Sequence, residues 1–115
     1  MASAFPGAGK TFFALSFVNH VMEREPDHFL VVLAPTIEIK RKWATDAEQT
    51  FGIKTQWSNN VQIDTETSRV HLSSNYKGMV MTYQGLATMC SSKSKNDVLS
   101  RFLSNKKVLL VLDEC

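Results

Sequence analysis

Ala4-Phe5-Pro6-Gly7-Ala8-Gly9-Lys10-Thr11 is a glycine-punctuated turn that runs directly into a stretch with helical spacing. Glycines at 7 and 9 let the backbone bend so that successive N–H groups converge on one anion, and the helix that follows points its positive end at the same place. Against the phosphate-loop pattern G-x-x-x-x-G-K-[ST] the stretch departs only at its first position, where Ala4 stands for glycine. The close approach to phosphate is made by the later residues, so Pro6, Gly7, Ala8, Gly9, Lys10 and Thr11 form the candidate cofactor-binding loop, with Phe5 and Pro6 also packing it. Lys10 supplies a cation for the β- and γ-phosphates and Thr11 a hydroxyl ligand for magnesium.

Working outward, Phe13, Phe17, Val18 and Val21 predict one apolar face of a helix over 10–24, with Pro26 as a stop. Three apolar runs follow, Phe29 to Ala34, Met79 to Tyr83 and Val108 to Leu112. Each is continuous, the pattern of a strand buried on both faces of a parallel sheet. Between the first two, Ile39, Trp43, Ala47 and Phe51 repeat every four residues and predict a helix over 37–51. Before the third, Asp97 is the expected N-cap of a helix whose stripe is Val98, Leu99, Phe102 and Leu103. Helices alternating with buried strands predict an α/β domain, a parallel sheet with helices on both faces. Residues 52–77 are polar and broken, with one short strand expected near Val70 to Leu72; Trp57 and His71 within them are read as packing or surface residues.

The third run ends in Asp113-Glu114-Cys115. An apolar strand ending in two carboxylates suits magnesium chemistry: Asp113 holds the ion through its water shell and Glu114 orients and deprotonates an attacking water. Taken alone, the pair could equally be a solvated strand end; the upstream phosphate loop selects the chemical reading.

The loop at 4–11, Ala34-Pro35-Thr36, Thr82-Tyr83-Gln84 and Asp113-Glu114-Cys115 stand in the order of motifs I, Ia, Ib and II of superfamily 2 DEAD/DEAH-box-like helicases. The chain resembles the first RecA-like lobe of that family from Ala4 to Cys115, with a terminal segment similar to the start of a DECH-type box. The resemblance implies ATP and Mg2+ as cofactors, Lys10 and Glu114 as catalytic residues, and ATP hydrolysis that moves along or separates nucleic-acid strands. It also implies that Thr36, Lys40, Arg41, Thr82 and Gln84 lie along the phosphate backbone of bound DNA or RNA. Hydroxyls, helix N-terminal amides and cations are the groups such contact needs. Motifs I and II are shared by many ATPases, so another ATP-driven motor, such as a packaging or restriction-system translocase, or a non-hydrolysing nucleotide-binding module, fits the same two motifs. Against the family pattern, only Met1, Ala2 and Ser3 stand where a buried strand would precede the loop, and neither the histidine of motif II nor a second lobe follows. The expectation is a domain incomplete at both ends, inactive by itself.

Composition agrees without adding specificity. The chain has 115 residues, 43% hydrophobic and 21% charged, enough for one folded domain. Its net charge of +2 is too mild to announce a nucleic-acid partner, which must be argued from motifs. Cys90 and Cys115 lack metal-ligand spacing, and no apolar run approaches the roughly 18 residues that span a bilayer. With no basic-then-apolar leader pattern, a cytoplasmic setting and no membrane partner are expected.

Overall fold

The computed structural model describes residues 8–57, 62–73 and 75–113, with side chains from Thr11 onward. The elements are α1 (Ala8–Arg24), β1 (His28–Ala34), α2 (Ile37–Phe51), β2 (Thr55–Gln56), β3 (Gln62–Asp64), β4 (Arg69–His71), β5 (Gly78–Thr82), α3 (Tyr83–Met89), α4 (Lys93–Ser104) and β6 (Lys107–Leu112). Four strands form a sheet of order β2-β5-β1-β6, in which every pairing is parallel. The α/β class with a parallel sheet is thereby established, and its architecture is that expected of a RecA-like domain.

Strand β1 is central because both of its faces are apolar. Leu30, Val32 and Ala34 join Leu15 and Val18 of α1, Trp43, Ala44 and Ala47 of α2 and Val80 in one core. On the other side Phe29, Val31 and Leu33 join Met79, Met81, Met89 of α3 and Leu99 of α4. Each Val, Leu, Phe or Met among them contributes roughly 1.5–3 kcal/mol by leaving water, and this pair of cores places helices on both faces. Register puts Leu30 beside Gly78 on one side and Leu109 on the other. At Gly78 a Cβ would collide with the Leu30 carbonyl oxygen and lie 2.7 Å from the Leu30 Cβ, so the close approach of β5 to β1 requires glycine.

Helix α2 matches its predicted bounds. Thr36 caps its start, its Oγ1 accepting from the Ile39 N–H at 3.2 Å. Gly52 ends it in the left-handed region (φ 70°), where its N–H and that of Ile53 reach the carbonyls of Glu48 and Ala47.

Four expectations are corrected. In α1 the face toward the sheet is Thr11, Leu15 and Val18; Phe13 and Phe17 lie on a second stripe and are 56% and 61% exposed. Among the described residues strand β6 is an edge rather than a strand buried on both faces: Leu109 and Val111 pack on the α1/α2 core, while Val108, Leu110 and Leu112 alternate outward. The last helix begins four residues before Asp97, because Ser92 provides the cap, its Oγ accepting from the Lys95 N–H at 3.2 Å. Tyr83, expected as the end of a strand, instead opens the short helix α3, capped by Thr82. Within 52–77, β3 and β4 pair as an antiparallel hairpin that packs Ile63 and Val70 on the second core. At its turn the Thr67 backbone N–H and hydroxyl, then the Glu66 N–H, hold the Asp64 carboxyl below its ordinary value.

Candidate nucleotide-binding site

In a parallel sheet all strands end on one edge, and that is where ligands of open α/β sheets bind. Here β5, β1 and β6 end at Thr82, Ala34 and Leu112, with Ala34 paired to Thr82 and Leu33 to Leu112. Helix α1 returns to the start of β1 through a short connection, so its first turn, with Thr11, lies at the carboxyl edge too. Along that edge the order is Thr82, Thr36, Asp113.

Asp113 is the chemical centre of the described residues. Only 6% exposed, it is tied down from three elements. Its backbone N–H donates to the Leu33 carbonyl of β1 at 2.9 Å, which extends the β6–β1 ladder by one bond. The Trp43 indole Nε1–H of α2 donates to its Oδ2 at 2.8 Å. The Tyr83 hydroxyl, at the start of α3, donates to its carbonyl oxygen at 3.3 Å. A buried carboxylate that accepts a strong hydrogen bond can stay charged, and charged it suits a divalent ion's water shell. Thr11, 4% exposed, brings a buried hydroxyl on the first turn of α1. This donor set, hard oxygens at a sheet's carboxyl edge, fits magnesium. Among the described residues no group of three histidine, cysteine, aspartate or glutamate side chains is gathered for a metal.

Of the remaining predicted residues, Pro6, Gly7 and Glu114 lie outside the described residues. Ala8, Gly9 and Lys10 are described only as the backbone opening α1. Thr82 ends β5 beside Ala34 and Thr36 follows Ala34 by two residues, and both hydroxyls act as helix caps, Thr82 Oγ1 accepting from the Gly85 N–H at 2.9 Å. Lys40 is half-buried one turn above Thr36, with Arg41 exposed beside it. Gln84 is exposed, its backbone carbonyl accepting from the Thr88 hydroxyl at 3.1 Å.

Sequence reasoning missed the partners of Asp113. Trp43 was legible as a core residue, and a buried indole N–H calls for an acceptor, but nothing in the sequence designates a carboxylate 70 positions away.

An α/β domain with a four-strand parallel sheet and a buried aspartate at the strand ends has the plan of a RecA-like domain. The whole chain, residues 1–115, matches the family described as the res subunit of type III restriction enzymes, and it belongs to that family of superfamily 2 helicase ATP-binding domains. No curated protein and no solved structure matches it.

Proposed function

We propose that the chain is the nucleotide-binding lobe of a motor that hydrolyses ATP to move along nucleic acid or separate its strands. The observation that carries this reading is Asp113, a carboxylate held in place at the end of β6, on the edge where α1 begins. In it, Pro6 to Thr11 cradle the phosphates, Lys10 neutralises the β- and γ-oxygens, Thr11 and Asp113 hold magnesium, and Glu114 takes the proton of the attacking water. Asp113-Glu114-Cys115 acts as a DEAD/DEAH-type box. Bound magnesium would spread charge away from the transferring phosphoryl group; the chain's own task is to bind, orient and accept the proton.

Thr36, Thr82 and Gln84, with Lys40 and Arg41, form the contact to the phosphate backbone. Each threonine hydroxyl accepts from its helix and keeps its own proton for a phosphate oxygen. The family's link to restriction enzymes, which act on DNA, favours DNA as the track and supports a restriction-system translocase as the second reading. The motor extends beyond this lobe: Phe13 and Phe17 on α1 and Val108, Leu110 and Leu112 on β6 provide an apolar surface for further parts of the domain and a second lobe.

Nucleotide binding and turnover, measured in the intact motor, test the division of roles. Lys10→Ala is expected to abolish turnover and weaken ATP binding, whereas Glu114→Gln keeps binding while turnover falls about a hundredfold or more. If Glu114→Gln bound ATP no better than Lys10→Ala, these roles would be wrong.

A further inference from the structure

Trp43 is 1% exposed and lies mid-way along α2, inside the core that joins α1, α2 and β1. As core filler it needs only its rings. The structure gives it more: its Nε1–H lies 2.8 Å from Oδ2 of Asp113, a side chain that is itself 6% exposed. An indole N–H is a donor with no acceptor capacity and titrates in no accessible range, so it can neither take a proton nor ligate a cation. What it can do is fix the plane of the carboxylate. The Asp113 backbone is also held, its N–H by Leu33 and its carbonyl by Tyr83, so the indole acts on what those backbone bonds do not fix, rotation about the side-chain bonds.

We propose that Trp43 is a positioning residue of the nucleotide site, orienting the Asp113 carboxylate toward the water shell of magnesium. This rests on the reading of Asp113 as the magnesium-holding carboxylate. Outer partners that orient a metal's carboxylate typically matter 10–100-fold in metal affinity. The effect belongs to the magnesium-dependent part of nucleotide binding, since the indole N–H is donated to the carboxylate.

The test uses the intact motor and calorimetric titration with ATP, with and without Mg2+, for wild type, Trp43→Phe and Asp113→Asn. Phenylalanine keeps most of the packing and loses the N–H. Expected for Trp43→Phe is unchanged metal-free ATP affinity, with the gain on adding Mg2+ reduced about tenfold or more; Asp113→Asn loses that gain as well. On the wild-type chain, 1H–15N spectra supply a measurement independent of any variant. The Trp43 indole resonance, distinguished from that of Trp57 by a Trp57→Phe sample, should move when Mg2+ is added to the ATP-bound protein. A full Mg2+ gain in Trp43→Phe beside a lost gain in Asp113→Asn overturns the positioning role alone. A full gain in Asp113→Asn, or no ATP binding by the wild type, overturns the magnesium reading and Trp43's role with it. An indole resonance indifferent to Mg2+ overturns the role even if Trp43→Phe fails to fold.

Discussion

Thr36, two residues past the end of β1, and Thr82, the last residue of β5, each turn the hydroxyl oxygen back onto the third residue of the helix they precede. A threonine there has two roles that one substitution confounds. Thr36→Ala removes a cap from α2 and is expected to lower stability by about 1 kcal/mol, whereas Thr36→Ser, which keeps the oxygen, stays within about 0.5 kcal/mol of wild type. Urea denaturation of both variants checks this, and equal losses would mean that the cap bond carries little. A nucleic-acid assay on position 36 should therefore use Ser as its folded reference. At this scale the candidate site was partly legible. The candidate phosphate-loop residues and Asp113 can be picked out by type and spacing, because phosphate and magnesium chemistry admit few alternatives. Trp43 and Tyr83 cannot, because hydrogen bonds between residues far apart in sequence leave no local pattern.

Among the elements, β1 and α2 were readable from sequence because their surroundings are simple: one strand apolar on both faces, and one helix with a cap, a stripe and a terminal glycine. Strand β6 misled because a continuous apolar run does not distinguish a central strand from an edge strand whose outer residues remain uncovered. The start of α4 misled because its first turn is polar and exposed, so the apolar stripe begins a turn late. The β3–β4 hairpin was only partly anticipated, since three-residue strands rich in polar groups lack the alternation that marks longer ones. Strand β5 carries a constraint invisible to hydropathy, the absence of a side chain at Gly78. Alanine there forces the β5–β1 pair apart at Leu30, and Gly78→Ala is expected to destabilise the fold by about 1–3 kcal/mol. Denaturant midpoints decide it: a midpoint within error of wild type at unchanged slope would mean that the sheet relaxes around the methyl group.

Across the whole molecule, apolar surface is unevenly distributed. It gathers at the β6 end of the sheet, where Leu110 is 57% exposed beside an edge with no further strand paired to it among the described residues, and on the outer stripe of α1. Open edges of this kind template intermolecular pairing. Leu110→Lys is expected to cut self-association of the isolated chain several-fold in light scattering while shifting stability by less than about 0.5 kcal/mol, as for other exposed positions. Scattering unchanged by the lysine would locate the sticky surface elsewhere. The bond between Trp43 and Asp113 has a mechanical side at this scale. Thr36 and Trp43 are separated by two turns of α2, a rigid rod about 10 Å long. If α2 pivots at the indole by about 5°, its capped end swings by about 1 Å, close to the tolerance of a hydrogen bond. Lever and pivot thus share one helix, so a shift of the carboxylate that tilts α2 is read out as a displacement of its capped end, beyond the end of β1.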